Sequence, residues 1–292
     1  MSSTDVGRQA AGRYTADPMG KTREIKKRIK AVANIRRITK TMQMIATAKF
    51  QAASVRATAA KPYTDGIHDL LVNLIAAAGD IDHPLAKPPA VSPGRVLLLI
   101  ITSDRGLCGA YNSNILRLAH QTYNNLREKH DVVVELIGRK GAAFCKFNGI
   151  PVEHQHQLGD KPAFEEVERI ATRYMDEYEK GHFDEVVVVY MRFVSNARQI
   201  PTKLGLLPLS PDEPGENDSV SNTQYEFSPP ADELLGHLIP TTIKTTLFQA
   251  INEALVSEQI MRMVAMKAAT DNAGKMGKSL TQKYNRARQA QI

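Results

Sequence analysis

Residues 25–45 read IKKRIKAVANIRRITKTMQMI. Apolar side chains recur in this stretch at steps of three or four residues, at Ile25, Ile29, Val32, Ile35, Ile38, Met42 and Ile45. This spacing draws one apolar stripe along an α-helix and leaves Lys and Arg on its other faces. Because no Gly or Pro occurs between residues 21 and 61, the pattern predicts a rod of roughly 60 Å before Pro62 can bend it. A second helical stretch is predicted over residues 63–78.

The end of the chain repeats this spacing. Its apolar residues are Leu234, Leu238, Ile243, Leu247, Ile251, Leu255, Met263 and Met266. Helices of this length are uncommon in compact domains and are typical of coiled coils. We therefore predict that an N-terminal helix over residues 19–78 pairs with a C-terminal helix over residues 231–292 as a long antiparallel coiled coil.

The hydrophobic period changes between these two regions. A proline-rich linker over residues 84–93 is followed by continuous apolar runs at residues 95–101, 132–137 and 186–190. Helical patterns separate the runs, at about residues 114–129, 140–147 and 164–180. Strands that alternate with helices predict a parallel or mostly parallel sheet with helices on its faces. The fold class is therefore α/β: a central Rossmann-like domain over residues 94–209 beside the coiled coil.

Two segments show no regular pattern. Residues 1–18 have neither apolar periodicity nor a signal-peptide core, and we expect a disordered extension or an upstream start with Met19 as the true one. Residues 210–230 are polar, acidic and proline-bearing, which predicts a surface loop.

The charge lies mostly in the two helical ends. The 292-residue chain has a net charge of +7, and residues 19–61 hold twelve Lys or Arg against Glu24 alone. Residues 257–292 hold seven basic residues against two acidic ones. Such helices imply an acidic partner. Residue chemistry alone does not decide whether this partner is nucleic acid, anionic lipid or an acidic protein surface.

The sequence contains few motifs that indicate catalysis or ligand binding. Two cysteines exclude a disulfide scaffold and a four-thiolate metal site. The stretch TSDRGLCG at residues 102–109 lacks phosphate-loop spacing, so we favour a tight turn that displays Asp104 and Arg105. Cys108 has no neighbouring base in sequence, and His154 and His156 are interpreted as solvated loop histidines rather than metal ligands. We predict no catalytic, cofactor or metal site.

Three separated motifs resemble the γ subunit of F-type ATP synthases. They are ITKTMQMIA at residues 38–46, TSDRGLCG at residues 102–109, and RMVAMKAATDN at residues 262–272 followed by YNRARQ at residues 284–289. The resemblance implies a non-catalytic rotor shaft that couples rotation of the c-subunit ring to conformational cycling of the catalytic β subunits in ATP synthesis and hydrogen-ion transport. It implies as partners the α and β subunits, the ε subunit and the c ring, no cofactor, and peripheral attachment to the cytoplasmic side of a cell inner membrane. The alternative is a basic coiled-coil nucleic-acid-binding protein, although aromatic residues for base stacking are missing from the basic helix.

The resemblance also implies contacts with the β subunit. The matching residues are Met42, Asp104, Arg105, Cys108, Arg262, Arg288 and Gln289. Met42 also fits an apolar seam, and Arg262 also fits a solvated position, although a contact with the β subunit is favoured for both. Members of the family continue past the position of Ile292, so we expect either a fragment or a short shaft. Because no cysteine-bearing insertion interrupts residues 195–209, thiol regulation is not expected.

Overall fold

The computed structural model describes residues 18–78, 83–89, 92–209 and 231–290. Within them, five helices and five strands follow one another as α1 Pro18–Ala78, β1 Arg95–Ile101, α2 Tyr111–Leu126, β2 Asp131–Ile137, α3 Arg139–Phe147, β3 His154–His156, α4 Phe164–Glu179, β4 Glu185–Ser195, β5 Arg198–Leu207 and α5 Ala231–Gln289. The predicted extension up to residue 17 and the predicted loop at residues 210–230 lie outside the described residues.

The five strands form one mixed sheet in the order β3-β2-β1-β4-β5. Strands β1 to β4 pair in parallel, and β5 pairs with β4 in the antiparallel sense. Side chains of β1 alternate between two cores, with Leu97 and Leu99 on one face and Val96 and Leu98 on the other. This two-sided burial explains why β1 is a continuous apolar run rather than an alternating one.

Helices cover both faces of the sheet. Residues of α2 and α3 such as Ile115 and Cys145 pack on one face. The other face is covered by α4 and by α5, whose Ile239, Ile243 and Leu247 are fully buried. The predicted α/β class is confirmed, and the sheet is mostly parallel.

Two strands were missed by the sequence prediction. Strand β5 contains Pro201, which cannot donate a ladder hydrogen bond and is tolerated because β5 is an edge strand. Strand β3 is only three residues long and carries no apolar alternation. Its pairing with β2 makes the prediction of solvated loop histidines wrong for His156, which is 8% exposed.

Both long helices contain a proline in their interior. Helix α1 continues through Pro62 and α5 continues through Pro240, so neither residue ends its helix. A proline removes one intrahelical hydrogen bond, and Pro62 is exposed, where the carbonyl it leaves unpaired can be solvated.

The chain divides into two compact units. The first consists of residues 1–42 and 267–292, and the second of residues 43–266. In the first unit, Thr270 donates a hydrogen bond to Thr39 at 2.8 Å, and a Cβ on Gly277 would stand 3.9 Å from Val32. Residue numbers rise along α1 as they fall along α5, so the two helices are antiparallel in this unit.

The apolar stripe of α1 is wider than the contact that buries it. Val32 is 9% exposed, whereas Ile35 and Ile38 are 51% and 56% exposed. The reason is helical geometry, because six residues turn the helix through 600°, which places Ile38 about 120° around the axis from Val32. The predicted apolar stripe is thus only partly buried, with Ile35 and Ile38 exposed.

The proline-rich segment after α1 is packed rather than free. Leu85 is 2% exposed, and its carbonyl accepts a hydrogen bond from the amide of Leu209 at 2.8 Å. The hydroxyl of Tyr178 donates to the carbonyl of Lys87 at 2.9 Å.

The described helices include none that is both long and apolar enough to cross a membrane.

Candidate partner-contact site

The loop of residues 102–109 connects β1 to α2 and is fixed at its base by hydrogen bonds. The hydroxyl of Thr102 donates to the carbonyl of Ile137 at 3.0 Å, and the amide of Ser103 donates to Oδ1 of Asn112 at 3.1 Å. The side-chain amide of Asn112 donates in turn to Sγ of Cys108 at 3.2 Å. The exposed residues of the loop are therefore presented from a rigid base.

Three larger side chains of this loop face solvent: Asp104, Arg105 and Leu107. Leu107 is 60% exposed and has a φ of 63°, a left-handed conformation that costs a residue with a Cβ roughly 1 kcal/mol. Strain that holds an apolar side chain in solvent points to a contact surface. Sequence reasoning missed Leu107, because nothing about a leucine signals a positive φ.

Asp104 also has a structural role. Its Oδ1 accepts a hydrogen bond from the backbone amide of Arg139, the first residue of α3, at 3.1 Å. The carboxylate thus satisfies one of the unpaired donors at that helix N-terminus and lies where the helix dipole favours negative charge. The predicted display of Asp104 on a tight turn agrees with its exposure in the structure.

Cys108 faces the interior. It is 2% exposed, and its thiol contacts the Asn112 amide, the Ser103 hydroxyl and the Arg105 carbonyl. None of these groups is a general base of the kind that activates a nucleophilic thiol. The side chain of Cys108 therefore secures the loop from inside.

Helix α5 packs against the loop that follows the carboxyl end of β1 and against the start of α2. Ligands of open α/β sheets bind at the carboxyl ends of the strands. Here the Tyr111 hydroxyl donates to the carbonyl of Ala254 at 3.1 Å, and a Cβ on Gly109 would stand 3.7 Å from the Cβ of Ala265. The chain's own helix therefore lies against the loop at this end of the sheet.

Arg262 fastens α5 to the loop. Its guanidinium donates to the carbonyl of Arg105 at 3.0 Å and pairs with Glu258 at 2.6 Å. At 8% exposure Arg262 is buried, so the alternative of a solvated position is wrong. Burial raises the pKa of Glu258 even though the charge and hydrogen bond of Arg262 lower it. Asp104, Arg105, Cys108 and Arg262 are thus brought together in one place, all within residues 43–266.

The other predicted contacts belong to the helix pair of the first unit. Met42 is half-buried, and Arg288 and Gln289 are exposed at the end of α5. Over residues 18–42 and 267–290, the two helices carry fifteen Lys or Arg against two acidic residues. A groove between them is lined in part by basic side chains of Arg36, Arg37, Lys40, Lys275 and Lys278. This unit therefore presents a strongly positive surface.

A buried charge network at the β3 edge of the sheet was not predicted from the sequence. Glu135 of β2 is 1% exposed and accepts hydrogen bonds from His156 at 2.7 Å, Arg173 at 2.6 Å and Tyr174 at 2.7 Å. Burial alone would raise the pKa of Glu135, but these hydrogen bonds outweigh burial and lower the pKa to about 2. The sequence feature that could have predicted this network is the single acidic residue inside the apolar run of residues 132–137.

Comparison with known proteins identifies the family. A family model described as ATP synthase matches residues 21–292. The ATP synthase gamma chain of Rhodopirellula baltica is 42% identical over 282 residues, which cover 94% of this chain and 95% of that protein. The gamma chain of Desulfitobacterium hafniense is 40% identical over 275 residues, with the same shares covered.

Solved structures agree on the fold. The rotor of the Euglena gracilis mitochondrial ATP synthase matches with a TM-score of 0.63 at 20% identity, covering 94% of this chain and 99% of that chain. The central stalk and c ring structure from Tetrahymena thermophila matches with a TM-score of 0.60 at 20% identity, covering 80% of this chain and 99% of that chain. The comparisons give no support to the nucleic-acid-binding alternative. The chain belongs to the family of ATP synthase gamma chains.

Proposed function

We propose that the chain is the rotating central shaft of a proton-translocating F-type ATP synthase. In this role it turns with a ring of c subunits and an ε subunit, inside a head built from α and β subunits. The asymmetric shaft drives the catalytic β subunits in turn through their conformational states. This role is supported by its relatives, which are gamma chains of ATP synthases, and by the rotor and the central stalk with c ring of the structures that share its fold.

One observation carries the proposal. Helix α5 is a single helix from Ala231 to Gln289 that is rooted in the core of the α/β domain and ends in the basic helix pair. A stiff helix anchored by buried Ile239, Ile243 and Leu247 suits the transmission of torque, because a packed apolar core resists relative motion of its elements.

The basic surface suits a shaft that turns inside an acidic sleeve. Exposed ion pairs contribute at most about 1 kcal/mol each, so many such contacts attract the shaft without trapping it at one angle. We propose that Arg288 and Gln289, together with Met42, meet the β subunits along the helix pair. We propose further that Asp104 and Arg105 meet them at the loop, with Cys108 and Arg262 holding that loop in shape.

We propose that the chain carries no ATP chemistry of its own. Two observations support this: α5 packs against the loop at the carboxyl end of β1, the end of the sheet at which α/β proteins bind ligands, and the described contacts of the Cys108 thiol include no base. The chain would attach peripherally, through the complex, to the cytoplasmic side of a bacterial inner membrane. The bacterial gamma chains among its relatives support that location.

The test is assembly. The purified chain is mixed with α and β subunits of a related bacterial enzyme, and the mass of the product is measured, with that enzyme's own gamma chain as the control. We expect one copy of the chain with three α and three β subunits, and ATP hydrolysis that depends on the chain. The proposal is wrong if the control assembles and this chain does not.

A further inference from the structure

Asp160 reaches from the α/β domain to the middle of α1. It lies in the loop that follows β3, and its Oδ2 forms an ion pair with Nζ of Lys49 at 2.5 Å. Its backbone carbonyl accepts a hydrogen bond from the guanidinium of Arg56 at 3.5 Å. Lys49 and Arg56 are seven residues apart, so they lie on one face of α1, two turns from each other. One residue of the loop thus contacts the helix at two points that are two turns apart.

The strand before this loop is braced by the buried network. Strand β3 has only three residues, and its last residue, His156, bonds to Glu135 at 2.7 Å. Glu135 is itself held by Arg173 and Tyr174 of α4. The loop therefore starts from a strand that is fixed to both β2 and α4, which is the condition for its Asp160 to bear a load.

Electrostatics keep this carboxylate ionised. The hydrogen bond from Lys49 is the main cause that lowers the pKa of Asp160, against a smaller opposing effect of burial. The charges of Lys49, Arg105 and Arg262 lower it further. These three cations belong to α1, to the loop after β1 and to α5, so the positive charge of all three elements acts on Asp160.

The apolar contacts of this part of α1 are small. Ala53 and Ala57 pack against Val256 of α5, and Phe50 of α1 packs against Phe193 of β4 with the ring centroids 6.4 Å apart. The methyl groups of alanines bury little apolar area, and hydrophobic stabilisation scales with that area. Both long helices reach the main core under the sheet, α1 through Leu71 and Leu74 and α5 through Leu, Ile and Ala side chains. Because Leu71 and Leu74 lie at least 22 residues beyond Lys49, a polar contact that joins α1 to the domain at Lys49 still matters for this part of the helix.

We propose that Asp160 is a positioning residue that ties α1 to the α/β domain, so that load on α1 passes into the sheet directly as well as through α5. This inference rests on the proposed rotary function. The contact is a half-exposed ion pair, with side chains 36% and 52% exposed, so its role is to fix geometry rather than to stabilise the fold.

The experiment compares rotation under load. Asp160→Asn, the charge exchange Lys49→Asp with Asp160→Lys, and the wild-type chain are each assembled with α and β subunits, and ATP-driven rotation of single molecules is followed as viscous load increases. We expect Asp160→Asn to rotate like wild type without load and to slow or slip under load, and we expect the charge exchange to restore rotation. The matched control is Asp131→Asn, which removes another exposed ion pair of the same domain, to Arg95 at 3.3 Å, and should change nothing.

A second readout uses the isolated chain. Amide hydrogen exchange over residues 43–57 should become up to about fivefold faster in Asp160→Asn and stay unchanged in Asp131→Asn. The proposal is overturned if Asp160→Asn equals wild type both in rotation under load and in exchange rates. That result would leave the rotary function intact. Failure of the wild-type chain to assemble would overturn the proposed function instead, and exchange in the isolated chain would still decide whether Asp160 ties α1.

Discussion

The guanidinium of Arg262 on α5 donates a hydrogen bond at 3.0 Å to the backbone carbonyl of Arg105, 157 residues earlier in the chain. The same guanidinium neutralises Glu258 one helical turn away. A buried cation therefore joins the loop of residues 102–109 to the long C-terminal helix, and the conformation of the loop depends on the position of α5. In a rotating shaft, this bond would make the loop turn with the helix.

Replacing Arg262 with Met should destabilise the chain by about 3 kcal/mol, because it leaves Glu258 buried without its cation. The loss should be larger at pH 7 than near pH 5. The pKa of Glu258 is already raised in the folded chain, so ionising the carboxyl above its unfolded pKa opposes folding, and losing Arg262 strengthens that opposition. Urea unfolding at the two pH values measures both effects.

The control for this variant is the double change Arg262→Met with Glu258→Gln. Removing the buried charge as well should recover most of the lost stability. A double variant that is less stable than Arg262→Met would contradict the argument, since Glu258 would then stabilise the chain without Arg262.

Leu107 should matter for partner binding and not for folding. Its side chain is 60% exposed at a φ of 63°, so Leu107→Ala should change the free energy of unfolding little but weaken assembly with α and β subunits. Leu107→Gly should stabilise the isolated chain by up to about 1 kcal/mol, because glycine adopts a positive φ without strain. Equal assembly affinities for wild type and Leu107→Ala, measured by titration, would show that Leu107 makes no contact.

Glu135 should give the chain a distinct acid transition. Its pKa in the folded chain is about 2, well below the unfolded value, so its contribution is present above about pH 4.5 and is lost as the pH falls towards 2. Glu135→Gln should cost up to about 3 kcal/mol at pH 7 and flatten the dependence of stability on pH below 4.5. Acid titration of both proteins in urea tests this, and two parallel curves would rule the prediction out.

Local sequence patterns predicted some of the helices and strands and could not predict others. The run Arg95–Ile101 predicts β1 to the residue, because burial on both faces leaves a continuous apolar stretch. Strand β3 reads His-Gln-His and exists only because β2 offers an edge and Glu135 offers His156 a partner. Tertiary contacts decide that this segment forms a strand, and no local sequence pattern encodes these contacts.

The same limit applies to the candidate site. Asp104 and Arg105 were found because a glycine-bearing turn after a strand displays polar residues. The bond between Arg262 and Arg105 joins distant parts of the chain, and only the resemblance to a family directed attention to Arg262. The sequence did not predict a role for Asp160, because neither its loop nor its contact with Lys49 follows from the spacing of residues along the chain.

Both cysteines should resist modification in the folded chain. Cys108 and Cys145 are 2% and 0% exposed, and burial raises the pKa of Cys145, which lowers its thiolate fraction. Iodoacetamide at pH 8 should label both residues fully in denaturant and neither one quickly under native conditions, as read by mass spectrometry. Rapid native labelling of Cys108 would contradict the buried contact with Asn112.

The helix pair of the first unit should become more stable when Gly274 and Gly277 of α5 are each replaced by alanine. A Cβ on Gly274 would meet Arg36 at 3.5 Å, and one on Gly277 would meet Val32 at 3.9 Å, both ordinary van der Waals distances. Because glycine inside a helix costs up to about 1 kcal/mol relative to alanine, each change should slow amide exchange in this unit by a comparable free energy. Gly274→Leu provides the contrast, since its larger side chain must displace Arg36 and should speed exchange. Faster exchange in the Gly274→Ala chain would mean that the two helices approach more closely here than the structure places them.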